Sequence, residues 1–179
     1  MKKISWDSMA EFLTDEERQH RRMIQEARSV AISYLGLSKK SSGKTAQKLR
    51  DEGYDESTIR DVIRELTEEG YLDDLKIARR IIRQRQGRLA ESQFSLKNRM
   101  IQAGLSREAI EKALSEAKPD QQLARDLIET RFSFELDQLH DPATPPQEKR
   151  RLMQKMGRFL GSRGFDGELI ARLLSFSDS

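Results

Sequence analysis

The chain has 179 residues, of which 36% are hydrophobic and 35% charged, and its formal net charge is +3. A mean hydropathy of -0.77 favours thin helical layers over a thick core, and the lack of cysteine excludes disulfides, thiolate metal sites and cysteine nucleophiles. No stretch approaches the roughly 20 apolar residues that cross a bilayer, and the first residues lack a signal peptide's apolar run. We therefore expect a cytoplasmic protein with no membrane partner.

The N-terminal segment combines apolar side chains with many charges. Trp6, Met9, Phe12 and Leu13 recur at short helical spacings, but no feature shows where they would pack. We predict a partly ordered arm over residues 1–20.

A regular helical pattern follows and predicts a first three-helix unit over residues 21–70. Apolar residues recur at separations of three and four between Arg21 and Leu37. A second helix is predicted from Lys44 to Glu52, and a third is opened by Asp55, a residue type that caps helix N-termini.

The joint after this unit closes one helix and opens the next without a strand between them. Gly70 is placed to end the third helix in the left-handed conformation that glycine adopts at low cost, and Tyr71 and Leu72 are expected to bury the joint. Asp73 and Asp74 precede a new helical pattern. Their carboxylates could share acid and base chemistry, but consecutive residues diverge on a helix, so we interpret both as helix caps.

The helix-glycine-cap-helix device occurs three times. In each copy an apolar residue precedes a glycine by four positions, and an apolar or aromatic residue and then an N-cap residue follow it. The glycines are Gly53, Gly104 and Gly164, and the residues four positions before them are Leu49, Met100 and Leu160. Their spacings of 51 and 60 residues indicate tandem repeats with one insertion.

These repeats predict an all-α fold, an elongated, solenoid-like array of nine helices in three helix-turn-helix-like units. The second unit is expected over residues 71–118 and the third over 119–179. The insertion is a proline-rich loop near residues 140–147.

No motif points to catalysis, a cofactor or a metal. The segment from Ser41 to Thr45 ends like a phosphate-binding loop, but its first glycine is replaced by Ser38 and no strand precedes it. His20 and His140 have no metal-ligating neighbours at helical spacing. An enzyme is therefore the least favoured class of function.

Two basic stripes are the candidate partner-binding residues. Between Lys76 and Arg99 there are eight Lys or Arg residues against the single acid Glu91. The first stripe consists of Lys76, Arg79, Arg80 and Arg83, and the second of Arg151, Lys155 and Arg158. Residues three and four apart share a helix face, so each stripe is either a solvated face or a surface for an anionic partner.

The chain resembles the RecX family of bacterial regulators of the RecA recombinase. The resemblance rests on Glu69 to Asp74 with Ala78, on Gly87 and Arg88, on Ala103 to Ser106 with Ile110 and Leu114, and on Arg163 to Phe165 with Glu168, Leu169 and Ile170. It covers about residues 21–176. Two positions depart from the family pattern, since Ile77 replaces a phenylalanine and Ser95 an arginine.

The resemblance implies a non-enzymatic, monomeric protein that binds RecA and RecA filaments on single-stranded DNA. It implies lower recombinase, ATPase and coprotease activity, linked to DNA repair and the SOS response. The stripes would meet acidic RecA surface or DNA phosphate, with a weak contact to single- or double-stranded DNA. The alternative is a DNA-binding helical protein that acts without RecA.

Overall fold

A computed structural model describes residues 14–36 and 40–175, which form ten α-helices and one 3-10 helix, with no strand among them. The helices are α1 (Asp15–Leu35), α2 (Ser42–Asp51), α3 (Glu56–Glu68), α4 (Asp74–Gln84), α5 (Gln93–Gln102), α6 (Arg107–Ser115), α7 (Asp120–Arg131), α8 (Ser133–His140), α9 (Pro146–Ser162) and α10 (Gly167–Ser175), and the 3-10 helix is Gly87–Leu89. The all-α fold of helical repeats is confirmed. The chain divides into two compact units, Met1–Asp74 and Leu75–Ser179.

The first helix begins earlier than the sequence pattern predicted. Thr14 and Glu17 form a capping box, in which Glu17 N–H donates to Thr14 Oγ1 at 3.2 Å and Thr14 N–H donates to Glu17 Oε2 at 2.7 Å. The predicted arm over residues 1–20 is therefore wrong for its last part, because α1 begins at Asp15. Its apolar residues Trp6, Met9, Phe12 and Leu13 lie outside the described residues.

Helices α1 to α3 form the core of the first unit. Small side chains on α1, Ala27 and Ala31, are fully buried, as are Leu49 on α2 and Val62 and Leu66 on α3. Alanine lets helix backbones approach closely, so larger side chains from the neighbouring helices fill the space over α1.

Each repeat glycine ends a helix in the left-handed conformation, the one predicted for Gly70. The φ angles are 90° at Gly53, 74° at Gly104 and 83° at Gly164. The N–H of each glycine donates to the carbonyl three residues earlier at 2.9 to 3.0 Å, and the next N–H donates to the carbonyl five residues earlier at 3.1 to 3.2 Å. This pair of bonds is the Schellman motif, and the residues whose carbonyls receive the second bond are the predicted core residues Leu49, Met100 and Leu160.

Gly70 ends α3 with a variant of this turn. Its φ is 78°, and its N–H donates to Thr67 O at 3.0 Å. The second bond comes one residue later, from Leu72 N–H to Leu66 O at 3.0 Å, and Leu72 is 2% exposed. The prediction that Leu72 buries the joint is confirmed, whereas Tyr71, which was expected to do the same, is 52% exposed.

The residues after the repeat glycines cap the following helices, as predicted. Asp55 accepts from the N–H groups of Ser57 and Thr58, both at 2.9 Å. Hydrogen bonds from these residues, with that of the Ser57 hydroxyl the strongest influence, hold the pKa of Asp55 well below its usual range. Ser106 and Asp166 cap α6 and α10 in the same way.

Asp74 belongs to α4 but caps the N-terminus of α2. It is the first residue of α4 and is 8% exposed. Its carboxylate accepts from the backbone N–H of Ser42, the first residue of α2, at 2.9 Å and from the Ser42 hydroxyl. The capping role predicted for Asp74 is therefore found at a helix 32 residues earlier in the chain.

The second unit contains two hydrophobic cores. One is formed by buried side chains of α4, α5 and α6, with Leu96 and Met100 at its centre. The other is formed mainly by α7 to α10, with Leu127, Met156 and Leu160 fully buried. The three predicted repeat boundaries stay a prediction, since the compact units number two.

The predicted count of nine helices is wrong, because the segment before the proline-rich loop forms two helices. Phe132, with φ −124° and ψ 28°, interrupts the helical backbone between α7 and α8. Its ring is 5% exposed and meets the Phe159 ring edge to face, with 5.2 Å between centroids. Phe132 is thus a buried core residue at the break between the two helices. The proline-rich segment separates α8 from α9.

The two cores of the second unit meet at the N-terminus of α5. Ser92 caps α5 by accepting from Ser95 N–H at 3.1 Å, and its own N–H donates to Arg163 O at 3.1 Å. A Cβ atom added to Gly164 would lie 2.0 Å from Ser95 Oγ and 2.8 Å from Ser92 Oγ. The third glycine turn therefore packs directly on the α5 cap.

Candidate partner-binding surfaces

The first basic stripe lies on the exposed face of α4. The opposite face is buried, with Ile77 8% exposed and Ala78 fully buried. The four stripe residues, Lys76, Arg79, Arg80 and Arg83, are all exposed. The helical spacing thus separates basic from apolar side chains as predicted.

Arg79 is neutralised within the chain. Its Nε and Nη2 donate to the two carboxylate oxygens of Glu116, each at 2.8 Å. These hydrogen bonds hold the pKa of Glu116 below its usual value. The two residues are 37 positions apart, so no local pattern in the sequence could reveal the pair.

Glu91, the single acid in this basic segment, is a buried partner and not part of the exposed surface. Its side chain is 7% exposed, and Arg99 donates to both of its oxygens, at 2.5 and 2.7 Å. Arg85 Nη1 lies 3.7 Å from Glu91 Oε1. The hydrogen bond from Arg99 is the main cause that lowers the pKa of Glu91, against the effect of burial.

The uncompensated positive charge of the first stripe is concentrated at the C-terminal half of α4. Arg80 and Arg83 are exposed and form no ion pair with any other residue in the ranges 14–36 and 40–175. Arg88, in the 3-10 helix that follows, is also exposed. The stripe is therefore smaller than its sequence indicated, and these arginines are its strongest part.

The second stripe, on α9, is largely compensated. Lys155 Nζ lies 2.6 Å from Glu135 Oε1, and Arg151 Nη1 lies 3.6 Å from Glu148 Oε2. Arg158 is exposed and makes no ion pair within the described part of the chain. The uncompensated charge on this face thus reduces to Arg158.

Three apolar side chains that no sequence motif indicated are exposed on α5 and α8. Phe94 and Ile101 on α5 are 67% and 55% exposed, while Leu96 and Met100 on the same helix are buried. Phe94 and Ile101 are seven residues apart and so lie on one helix face. In the sequence, these two residues fall outside the helical spacing of the core residues Leu96 and Met100, and this spacing could have predicted that they are exposed. Phe134 on α8 is 69% exposed.

Metal-binding groups and membrane-spanning helices are both absent from the described residues. Residues 14–36 and 40–175 include no group of three or more histidine or acidic side chains that could hold a metal ion. No helix in these ranges is long and apolar enough to span a membrane.

The fold and its surfaces define a class, an all-helical protein of tandem helical repeats with exposed basic residues on one helix of its second unit. Residues 27–66, within α1 to α3, match the family described as RecX, first three-helix domain. The chain is 30% identical over 146 residues to "Regulatory protein RecX" of Leuconostoc citreum (strain KM20), covering 81% of this chain and 52% of that protein. These matches support the RecX family for this chain.

Other relatives agree with this assignment. "Regulatory protein RecX" of Streptococcus pyogenes serotype M5 (strain Manfredo) is 28% identical over 160 residues, covering 89% of this chain and 58% of that protein. The chain thus spans little more than half the length of these curated relatives. The crystal structure of RecX from Lactobacillus salivarius shares the fold, with a TM-score of 0.62 at 18% identity over 88% of this chain and 98% of that one.

Proposed function

We propose that the protein is a non-enzymatic regulator that binds RecA and RecA filaments on single-stranded DNA. In this role it inhibits the recombinase, ATPase and coprotease activities of RecA and acts as a cytoplasmic monomer in DNA repair and the SOS response. The matches to the RecX family and the name of the relatives, regulatory protein, support the proposal.

One observation points to the contact surface. Arg80 and Arg83 are exposed on α4, and neither is neutralised within the described residues. An arginine without an ion pair breaks no internal bond when it leaves water for an acidic protein surface or a phosphate, so the free-energy cost is small. Such arginines also speed association with an anionic partner. A compensated residue such as Arg79 would first have to give up its bond to Glu116. Arg80 and Arg83 therefore carry the proposed contact, and Lys76, Arg79 and the α9 stripe are secondary.

Direct DNA binding without RecA is the second candidate function. The same two exposed arginines favour it, because guanidinium groups pair with phosphate as well as with carboxylate. The two functions differ in whether the arginines matter when RecA is absent.

The test is a variant with Arg80→Glu and Arg83→Glu, compared with a control with Arg125→Glu and Arg150→Glu. The control positions are also exposed, lie on α7 and α9, and change the net charge equally. ATP hydrolysis by RecA on single-stranded DNA is measured while each protein is titrated in. The wild type and the control are expected to lower the rate, and the Arg80/Arg83 variant to require at least about tenfold more protein, since two attractions become repulsions.

Binding to single-stranded DNA alone, at two salt concentrations, separates the two candidate functions. If RecA is the partner, the Arg80/Arg83 variant and the wild type bind bare DNA equally. A loss on bare DNA with a shallower salt slope, and no effect of the wild type on RecA, would favour direct DNA binding. Equal inhibition of RecA by the variant and the wild type would contradict the assigned surface, and a wild type without effect on RecA would contradict the function.

A further inference from the structure

A polar cleft lies in the second unit between α5 and the C-terminal end of α9. Its volume is about 250 Å³, and its lining consists of Glu91, Ser95, Asn98, Arg99, Gln102, Ser162 and Arg163. A water molecule in the liquid occupies about 30 Å³, so the cleft has room for a hydrated tetrahedral anion. All lining side chains except Glu91 can donate hydrogen bonds.

The one acid of the cleft is already saturated. Glu91 is buried, and Nε and Nη2 of Arg99 hold its two oxygens. Arg99 Nη1 makes no hydrogen bond within the described part of the chain, and the Arg99 side chain is 45% exposed. Glu91 therefore fixes the guanidinium group of Arg99 and leaves donors available to a ligand.

The charge balance of the cleft is positive. Arg99 and Arg163 are the two cations of its lining and Glu91 is the one anion, so one positive charge remains. The cleft thus favours an anionic ligand with several acceptor oxygens, which describes a phosphate group better than a carboxylate.

Arg131, which does not line the cleft, adds a further positive charge beside it. Arg163 and Arg131 both lie over the ring of Phe159, with their guanidinium carbons 5.1 and 5.3 Å from its centroid. Arg163 thus lies near Arg131 at this ring and also lines the cleft with Arg99. Several neighbouring cations suit a ligand with repeated negative charges better than a single small anion.

We propose that this cleft binds a backbone phosphate of a nucleic acid, with Arg99 and Arg163 as the principal contacts and Asn98 and Gln102 as further donors. The site is distinct from the stripes on α4 and α9. It requires no RecA, so its failure and the failure of the proposed RecA contact are measured separately.

The test uses the whole chain and two probes, a single-stranded oligothymidylate and inorganic phosphate. The variant carries Asn98→Asp and Gln102→Glu, which are exposed positions at the cleft and keep the side-chain shapes. The control carries Gln121→Glu and Gln147→Glu, which add the same charge at exposed positions in the first turns of α7 and α9. Circular dichroism checks that all three proteins are equally helical.

Oligonucleotide binding is followed by fluorescence anisotropy and phosphate binding by NMR of the arginine Nε–H groups. We expect the cleft variant to bind the oligonucleotide at least about fivefold more weakly than the control, with a salt slope smaller by about 0.7, the loss of one phosphate contact on a single strand. We also expect both probes to shift the Nε–H signals of Arg99 and Arg163 in the wild type.

Three results would overturn the proposal. Equal losses in the cleft variant and the control would assign the effect to net charge. Unchanged Arg99 and Arg163 signals on oligonucleotide addition would place nucleic-acid binding elsewhere, whether or not a variant folds. Signals that move with inorganic phosphate but not with the oligonucleotide would make the cleft a site for small anions and not for nucleic acid.

Discussion

The carboxylate of Asp74 accepts a hydrogen bond of 2.9 Å from the backbone N–H of Ser42, and a second from the Ser42 hydroxyl. Asp74 is the first residue of α4 and Ser42 the first of α2. Asp120, the first residue of α7, bears the same relation to Gln93, the first of α5, whose N–H donates to it at 2.7 Å. An aspartate that opens one helix thus satisfies the N-terminus of an earlier one in two successive repeats.

This relation joins each second helix to the helix that follows its repeat. In both cases a serine, Ser41 or Ser92, caps the second helix by accepting from the N–H three residues later. The aspartate accepts from the N–H of the first helical residue, which the serine leaves without a partner. In the third repeat the equivalent helix, α9, begins with Pro146, which has no N–H to donate. The device is therefore chemically restricted to the first two repeats.

Replacing Asp74 by alanine should destabilise the first unit. The change leaves the Ser42 N–H and hydroxyl without a partner in a part-buried site, and we expect a loss of about 1 to 3 kcal/mol in the free energy of unfolding. Asp74→Asn keeps an acceptor oxygen but loses the charge at the N-terminus of α2, so its loss should be smaller. Urea unfolding followed by circular dichroism measures both, and an alanine variant as stable as the wild type would contradict the capping role.

Gly164→Ala should cost more stability than the same change at Gly53. Both glycines have left-handed φ angles, 83° and 90°, so the backbone strain is similar. Only Gly164 is crowded, since an added Cβ would lie 2.0 Å from Ser95 Oγ, whereas nothing lies within 4 Å at Gly53. We expect a difference of about 1 to 3 kcal/mol between the two variants, measured by thermal unfolding.

Removing the Ser95 hydroxyl checks the cause of this difference. Ser95→Ala should restore part of the stability in the Gly164→Ala background and do little in the Gly53→Ala background. The double-mutant coupling energy isolates the contact between the third glycine turn and α5. Zero coupling would show that the turn does not pack on α5 as described.

Replacing Gly104 by valine should destabilise the second unit by about 1 to 3 kcal/mol, because a β-branched residue does not readily adopt the φ of 74° found there. Gly104→Asn is the matched variant, since asparagine tolerates the left-handed region better. Melting temperatures should fall in the order glycine, asparagine, valine. Equal values for all three would contradict a left-handed helix end at this position.

The Glu91 carboxylate should stabilise the protein at neutral pH and not in acid. Its pKa in the folded protein is lowered by Arg99, below the value of about 4.3 for an unfolded glutamate. A lowered folded pKa means that the contribution is fully present above the unfolded pKa and is lost as the pH falls through the folded pKa. Glu91→Gln should therefore cost about 1 to 3 kcal/mol at pH about 7 and progressively less below pH about 4.

The measurement is the urea midpoint of both proteins across this pH range. Other carboxylates titrate in both proteins, so the difference between the two midpoints reports Glu91. A difference that stays constant or grows toward acid pH would contradict the stabilising charge.

The turns and caps of this protein could be predicted because they depend on local chemistry. A glycine four residues after a core residue, followed by a capping residue, is sufficient for a Schellman turn and a new helix, and Gly53, Gly104 and Gly164 all form one. The start of α1 was missed although its signal, Thr14 followed by Glu17 at the third position, is also local. Helical spacing likewise placed Arg80 and Arg83 on an exposed face.

The net charge of each surface was decided only by the tertiary structure. Arg79 meets Glu116 across 37 residues, Lys155 meets Glu135 across 20, and Asp74 meets Ser42 across 32. Such pairs depend on how helices pack, which the periodicity of one helix does not contain. The sequence by itself therefore determined the glycine turns, the caps that follow them and the buried face of each repeat helix, whereas packing determined which charges are satisfied inside the fold and which remain uncompensated.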